Sequence, residues 1–286
     1  MRRWWALGIM LWPLACSAPP EAASPSAPPA PSVAAQPEAP TAARAAAPAP
    51  PEDPPAERTE PSSSPEPIVV REVKVPRDSA VLVVPGRTST PIVYLHGRCG
   101  DPTAFTAWAE TGSRFGTIVS LKGDQKCKAG GRTKWTEDPA RLDRRITNAL
   151  EAIRDQLGLP LDLDRRLVVG YSQGALRAES LGTRFPERYP RAVLVAGPRA
   201  PKPTSLTKSE AVLLLVGDHD ARQHLSEAAT KLKSRGRAVR YLELPGARHG
   251  EYGTEAARVF SEGLGWLVET PTRWRPEGES HNVGVP

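Results

Sequence analysis

The sequence predicts an α/β fold with a mostly parallel central sheet and helices on both faces. From Ile68 onward, short apolar runs alternate with longer amphipathic stretches, which is the order of βαβ units. The two leading runs are rich in Val and bounded by Pro76 and Pro85, which predicts a strand pair at an antiparallel edge. No internal repeat is visible.

The strands are predicted from runs of β-branched and other apolar residues between turn signals. They span residues 68–75, 80–84, 91–96, 117–121, 167–170, 192–196, 211–216 and 239–244. A long irregular loop with several glycines follows the fourth strand. We therefore expect a sheet of about eight strands.

Two helix starts carry an aspartate followed by proline, an N-cap and first-turn pair. These are Asp101-Pro102 and Asp138-Pro139. After the second pair, apolar residues recur at spacings of three and four, which predicts an amphipathic helix. They are Leu142, Ile146, Leu150, Ile153 and Leu157. Further helices are predicted directly after residue 170, up to 185, and at about 222–234 and 254–268.

The amino-acid composition of the 286-residue chain differs between its N-terminal part and the residues that follow. Residues 17–67 contain sixteen of the 32 prolines, and Pro and Ala fill 31 of these 51 positions. Such a segment buries too little apolar surface to offset its ordering entropy, so we expect a disordered tether. The folded domain is then 68–270, followed by a flexible tail at 271–286. The whole chain has a net charge of +6, and Lys and Arg occur along the domain with Asp and Glu between them, so no clustered nucleic-acid surface is predicted.

Residues 1–16 have the parts of an export signal: Arg2 and Arg3, an apolar run, and Leu14-Ala15-Cys16. The end resembles a bacterial lipobox, although Pro13 stands where that motif prefers Leu. This resemblance implies lipidation of Cys16 and a membrane anchor in the cell envelope, on the outer membrane or the periplasmic face. The alternative is ordinary cleavage and a secreted soluble protein.

Cys99 and Cys127 are the two remaining cysteines. In an exported protein an even pair predicts a disulfide. The alternative is two unpaired thiols. A zinc site is disfavoured because no histidine pair accompanies them, and we expect no metal and no cofactor.

The segment Gly170-Tyr171-Ser172-Gln173-Gly174 lies between a predicted buried strand and a predicted helix. In this context G-x-S-x-G indicates a tight turn that exposes a nucleophilic serine above the sheet. The alternative is a turn serine that caps its helix. We therefore predict Ser172 as the nucleophile.

Serine needs an adjacent base held by an acid. His249 follows the last predicted strand in a glycine-bounded loop, and it is the candidate base. The acid is expected after the strand 211–216, where Asp220 is preferred and Asp218 is the alternative. His96 ends a strand and is interpreted as structural.

Together, Leu95-His96-Gly97, the serine turn, Gly217-Asp218-His219-Asp220 and His249 resemble the α/β-hydrolase superfamily over about residues 92–268. The resemblance implies a Ser-acid-His triad and an oxyanion hole. Its N–H donors would be Gln173 and Arg98, with Cys99 as the alternative to Arg98.

Two loops of this chain predict how open the site is and what forms its wall. Only a short loop is available between residues 196 and 211, so no large cap domain is expected and the site should be open. The insertion at 122–137 is the expected wall of the pocket. Trp108 and Trp135 could line it, although aromatic residues more often belong to the core.

The resulting hypothesis is a serine esterase that acts on a small-molecule or polymeric ester. A thioesterase is less favoured outside the cytoplasm, and a peptidase is a further enzymatic alternative. The non-enzymatic alternatives are a membrane-anchored binding protein on the same fold and a structural envelope protein whose tether is its main function.

Overall fold

The computed structural model describes residues 68–128 and 130–271. The predicted export signal, Cys16, the tether and all but the first residue of the tail lie outside the described residues. Among the described residues, no helix combines the length and the apolar character that crossing a bilayer requires.

The domain is built on an eight-stranded sheet. Its strands, with a separate two-stranded hairpin included in the numbering, are β1 (Arg71–Val73), β2 (Val81–Val84), β3 (Pro91–Leu95), β4 (Thr117–Leu121), β5 (Gln125–Lys126), β6 (Thr133–Lys134), β7 (Leu167–Tyr171), β8 (Arg191–Val195), β9 (Ala211–Gly217) and β10 (Val239–Leu244). The order in the sheet is β1-β2-β4-β3-β7-β8-β9-β10. The last six strands in this order are parallel, and β1 and β2 form an antiparallel edge. The predicted sheet class is confirmed.

Helices cover both faces of the sheet. They are α1 (Ala109–Gly112), α2 (Pro139–Leu157), α3 (Gln173–Arg184), α4 (Gln223–Ser234) and α5 (Ala256–Glu269). Successive side chains of a strand point to opposite faces. Accordingly, Val93 and Leu95 pack in the core with α2, α3 and α4, whereas Ile92 and Tyr94 pack with α1 and α5. Residues 197–210, between β8 and β9, form turns and no helical cap.

The start of α2 agrees with its sequence signal. Asp138 accepts hydrogen bonds from the N–H groups of Ala140 at 2.9 Å and Arg141 at 3.2 Å, and Pro139 is the first helical residue. Gly158 ends the helix with φ 66°, a conformation that favours glycine. Four of the five predicted apolar residues are fully buried in the core: Leu142, Ile146, Leu150 and Ile153. The bounds of α2 therefore follow from its capping residues, and its orientation follows from burial of its apolar face.

The helix predicted to begin at Asp101-Pro102 is wrong. Asp101 instead accepts hydrogen bonds from the N–H and the hydroxyl of Thr103, at 2.8 Å and 2.7 Å, and closes a turn. A single 3₁₀ turn (Ala104–Ala107) and the four-residue α1 follow. Because the Asp101 carboxylate is hydrogen-bonded within this turn, the Asp-Pro pair is not followed by a regular helix.

The insertion at 122–137, predicted to be irregular, contains a small antiparallel hairpin formed by β5 and β6. A disulfide joins Cys99 to Cys127, as the sequence predicts, and a β-bridge pairs Gly100 with Thr133. The hairpin is therefore fastened to the loop that follows β3.

Residues of the insertion also form hydrogen bonds with His96, which is fully buried at the end of β3. Its Nε2 atom accepts the N–H of Gly123 at 3.1 Å and lies 3.2 Å from the Thr133 hydroxyl. Because an N–H can only donate, Nε2 carries no proton, and Nδ1–H donates to the Gly97 carbonyl at 2.7 Å. The structural role predicted for His96 agrees with these contacts.

We predict that reducing the disulfide lowers the free energy of unfolding by about 3 to 4 kcal/mol, because a loop closed over a separation of 28 residues loses its constraint on the unfolded chain. Denaturant unfolding with and without reductant measures this change. The double variant Cys99→Ser/Cys127→Ser should resemble the reduced protein and should not respond to reductant. A reductant effect of equal size in that variant would show that the bridge is not its cause.

We also predict that acid destabilises the fold through His96. Burial lowers the pKa of this imidazole below its ordinary value, which is about 6.5. The unfolded chain therefore binds the proton more readily, and this contribution to stability is complete above about pH 6.5 and is lost as the pH falls below it. The melting temperature of wild type should drop between pH 7 and pH 5, and that of His96→Gln should drop less.

The control is His224→Gln, which removes an imidazole from another part of the fold. An unchanged pH slope in His96→Gln would contradict the prediction.

Candidate active site

Ser172 lies on the bend between β7 and α3, at the carboxyl edge of the parallel strands. Its backbone has φ 51° and ψ −110°, a region that non-glycine residues rarely adopt. The Ser172 N–H donates to the Val195 carbonyl at 2.8 Å, which fixes the bend against β8. The predicted turn is present, and its strain is of the kind found at functional sites.

The two glycines around Ser172 are required by close backbone contacts. A Cβ atom on Gly170 would lie 2.1 Å from the Gly174 carbonyl oxygen, and one on Gly174 would lie 1.9 Å from the Leu95 carbonyl oxygen. Both distances are far inside van der Waals contact. The G-x-S-x-G pattern therefore reflects a crowded crossing between the strand ends and the start of α3.

A chain of two hydrogen bonds joins Asp220, His249 and Ser172. His249 Nδ1 lies 2.7 Å from Asp220 Oδ2, and His249 Nε2 lies 3.1 Å from Ser172 Oγ. Since the carboxylate accepts, Nδ1 carries the imidazole proton and Nε2 is free to accept from the hydroxyl. Such a chain allows the imidazole to take the serine proton during nucleophilic attack.

The loops that carry the acid and the histidine are packed on each other. The N–H groups of Asp218 and His219 donate to the carbonyls of Leu244 and Ala247, at 3.2 Å and 3.1 Å. The side chain of Asp220, only 13% exposed, reaches the imidazole, which is 50% exposed. Among the described residues, no hydrogen bond joins Asp218 to His249, so the structure brings the preferred acid, and not the alternative, to the imidazole.

The two N–H donors that the family resemblance implies belong to Gln173, which follows Ser172, and to Arg98, which follows Gly97. Gly97 lies beside the serine, since a Cβ on it would be 3.5 Å from Ser172 Cβ. The Gly97 carbonyl accepts from His96 Nδ1–H at 2.7 Å and from the Gly100 N–H at 3.0 Å. In a trans peptide the N–H points opposite to the carbonyl, so the Arg98 N–H points away from the buried His96 ring.

Gln173 is the first residue of α3, where backbone N–H groups have no intrahelical partner. The preceding carbonyl, that of Ser172, accepts from the Ala175 N–H at 3.0 Å. The Gln173 side chain is also held, because its Oε1 accepts the N–H of Trp135 at 3.1 Å. Among the described residues, neither the Gln173 nor the Arg98 N–H has a protein acceptor.

A cleft of about 350 Å³ opens above Ser172 and His249. Tyrosines, the loop after β3 and one residue of the insertion line it: Tyr94, Gly97, Arg98, Cys99, Gly100, Asp101, Ala104, Arg132, Tyr171, Gly250 and Tyr252. The insertion thus contributes Arg132 to the wall. The tryptophans do not line the cleft, because Trp108 stacks on Phe260 and Trp135 is buried with its Nε1–H bonded to the His96 carbonyl at 2.7 Å.

Sequence reasoning missed Tyr171, which links the serine bend to the histidine loop. Its hydroxyl accepts the N–H of Gly250 at 2.5 Å, and its ring centroid lies 5.7 Å from that of His249. Burial raises the pKa of this phenol, so it remains protonated at neutral pH. Alternation along β7 places its side chain on one face, but no sequence signal identified the partner across 79 residues.

The described residues contain no group of three or more His, Cys, Asp or Glu side chains arranged to hold a metal ion. The site is assembled from a serine, a histidine, an aspartate and backbone N–H groups.

No protein-family model matches the sequence, and a search of curated proteins finds no significant match. Solved structures do resemble it. The fluorophosphonate-binding serine hydrolase FphF of Staphylococcus aureus has a TM-score of 0.50 at 12% identity, over 72% of this chain and 99% of that one. Carboxylesterase CesB of Bacillus subtilis has a TM-score of 0.48 at 15% identity, over 72% and 93%. Naproxen esterase of Bacillus subtilis has 0.47 at 16%, over 68% and 90%.

At these identities the likeness concerns the fold alone. The strand order, the helices on both faces and the serine bend at the carboxyl edge of the sheet agree with it. The described domain therefore has the α/β-hydrolase fold.

Proposed function

We propose that this protein is a serine hydrolase that cleaves a carboxylic ester through an acyl-enzyme. The observation that carries the proposal is the hydrogen-bonded series Asp220–His249–Ser172, with the serine held on a strained bend above the sheet. A serine that only capped its helix would not need the imidazole, and Ser172 makes no side-chain cap bond to α3.

In the proposed reaction, Ser172 Oγ attacks the ester carbonyl while His249 Nε2 removes its proton. Asp220 holds the imidazole in the required tautomer and stabilises its positive charge. His249 then protonates the leaving alcohol, and a water molecule releases the acyl group by the reverse sequence. The proton thus passes from Ser172 to the alcohol, and the water regenerates the hydroxyl.

The negative charge on the tetrahedral intermediate would be stabilised by the N–H groups of Gln173 and Arg98. Arg98 is preferred over Cys99 because the fixed Gly97 carbonyl turns the Arg98 N–H away from the protein interior. Loss of one such donor typically costs about 10² to 10³ in turnover.

Two features support the proposed size of the substrate and the serine-hydrolase chemistry. The cleft has no helical cap, since residues 197–210 form turns, so bulky or polymeric esters can enter. FphF, which shares the fold, is a serine hydrolase that binds fluorophosphonates. We propose the same chemistry for this chain.

We further propose that the protein acts at the cell envelope, anchored through Cys16 or released as a soluble protein. The export-like segment at 1–16 supports this location. The Cys99–Cys127 disulfide is consistent with it, because disulfides persist mainly in oxidising compartments.

We predict that a fluorophosphonate probe labels the wild-type protein and that Ser172→Ala abolishes the labelling. Hydrolysis of 4-nitrophenyl esters of increasing chain length should be lost in parallel, by about 10⁴-fold or more in kcat. Gel fluorescence and mass spectrometry of the labelled peptide measure the modification. Ser226→Ala, which removes a hydroxyl of α4, is the matched control and should keep the label.

An intact, folded protein that takes no label would contradict the catalytic proposal. That result would favour the binding-protein alternative.

We predict that Tyr171→Phe lowers kcat about tenfold, because the loop that carries His249 loses its hydrogen bond to the serine bend. The KM should change less than twofold, since the ring that borders the cleft remains. Tyr241→Phe, which removes a hydroxyl bonded to Glu243 on the edge strand β10, is the matched control. Steady-state kinetics and melting temperatures test the prediction, and a lowered melting temperature with unchanged kcat would assign Tyr171 a purely structural role.

A further inference from the structure

Positive charge is concentrated on the segment 122–134, here called the basic hairpin. It contains one acidic residue, Asp124, and five basic ones: Lys122, Lys126, Lys128, Arg132 and Lys134. A second run of five basic residues without an acid lies at 231–240, from α4 to β10, and none of its residues lines the cleft that contains Ser172. The basic hairpin differs from it because it contributes a residue to this cleft.

The disulfide places this hairpin beside Ser172. Cys127 of the hairpin is bonded to Cys99, and Arg132 Nη1 donates to the Cys99 carbonyl at 3.4 Å. Arg132 and Arg98 both line the cleft that contains Ser172 and His249. Two guanidinium groups thus stand on one side of the candidate nucleophile.

Neither guanidinium group forms a salt bridge within the described part of the chain. The acid of the hairpin, Asp124, is paired with Arg141 at 3.1 Å and accepts the N–H of Thr136 at 2.8 Å. Within residues 68–128 and 130–271, no carboxylate oxygen lies within 4.0 Å of a side-chain nitrogen of Arg98 or Arg132. By contrast, Arg177 and Arg199 are paired with glutamates.

Two carboxylates also face the cleft or border it. Hydrogen bonds from the N–H and then the hydroxyl of Thr103 lower the pKa of Asp101, and the positive charge of Arg132 lowers it further, so this carboxyl is ionised. Asp220 lies behind His249, on the other side of Ser172. Among the residues that line the cleft, two guanidinium groups therefore stand against one carboxylate.

We propose that the ester substrate carries a negatively charged group, a carboxylate or a phosphate, which binds on the hairpin side of the cleft to Arg98 and Arg132. The proposal rests on the proposed function and defines its substrate class. A charged wall with low-dielectric surroundings attracts an oppositely charged substrate and raises the rate of its capture. The remaining lysines of the basic hairpin extend this field beyond the cleft.

Two matched pairs of esters test the proposal. In the first pair the charge is on the acyl part: the 4-nitrophenyl monoester of suberic acid against 4-nitrophenyl octanoate, a chain too long for the free carboxylate to attack its own ester readily. In the second pair it is on the alcohol part: the acetate ester of 4-hydroxybenzoate against that of 4-hydroxybenzamide. Each kcat/KM is divided by the rate constant for attack by hydroxide, which removes intrinsic reactivity.

The expected result is a preference of about tenfold for the anionic member of at least one pair at low ionic strength, which decreases at about 0.5 M salt as the charges are screened. Arg132→Gln should lower kcat/KM for the preferred anionic ester several-fold more than for its neutral partner. Lys233→Gln, which removes one exposed positive charge from α4, is the control for net charge and should leave the preference unchanged.

Hydrolysis of the neutral esters without preference for either anion would overturn this proposal and leave the proposed function intact. Equal effects of Arg132→Gln and Lys233→Gln would also overturn it, because the preference would then reflect net charge alone. Failure to hydrolyse any of the four esters, together with no fluorophosphonate labelling, would overturn the proposed function and this inference with it.

Discussion

The close approach of backbone segments around residue 172 determines how the site is built. The end of β7, the start of α3 and the end of β3 cross so tightly that neither Gly170 nor Gly174 has space for a Cβ atom. This crowding holds Ser172 at a positive φ and turns its side chain out of the sheet. The hydrogen bond that the Ser172 hydroxyl donates to His249, and the N–H groups of Gln173 and Arg98, which have no acceptor among the described residues, are all placed relative to this bend.

The insertion after β4 supports the same bend from the opposite side to the histidine loop. Trp135 donates its backbone N–H to the Gln173 side chain and its indole N–H to the His96 carbonyl. The disulfide and the bridge between Gly100 and Thr133 hold the loop that contains Arg98. One segment therefore positions both N–H groups proposed to stabilise the oxyanion, and it also brings positive charge to the cleft.

The predictions that were wrong or incomplete concern short segments, where the same residues can form a different local structure. Asp101-Pro102 has the form of a helix start, but the carboxylate closes a turn with Thr103 instead. The hairpin in the insertion was missed because its two-residue strands are too short for alternation to be recognised. The tryptophans lie in the core, which was the alternative that aromatic burial favoured.

The sequence by itself determined the sheet, nearly all helix boundaries and the candidates Ser172, His249 and Asp220, because apolar periodicity, N-caps and a glycine-bounded serine are local properties of the chain. It could not decide between Asp220 and Asp218, nor find Tyr171 and Trp135. Those choices depend on contacts between residues that are far apart in sequence, such as Asp220 and His249, separated by 29 positions, and Trp135 and Gln173, separated by 38. Only the packing of the folded chain brings such groups within hydrogen-bonding distance.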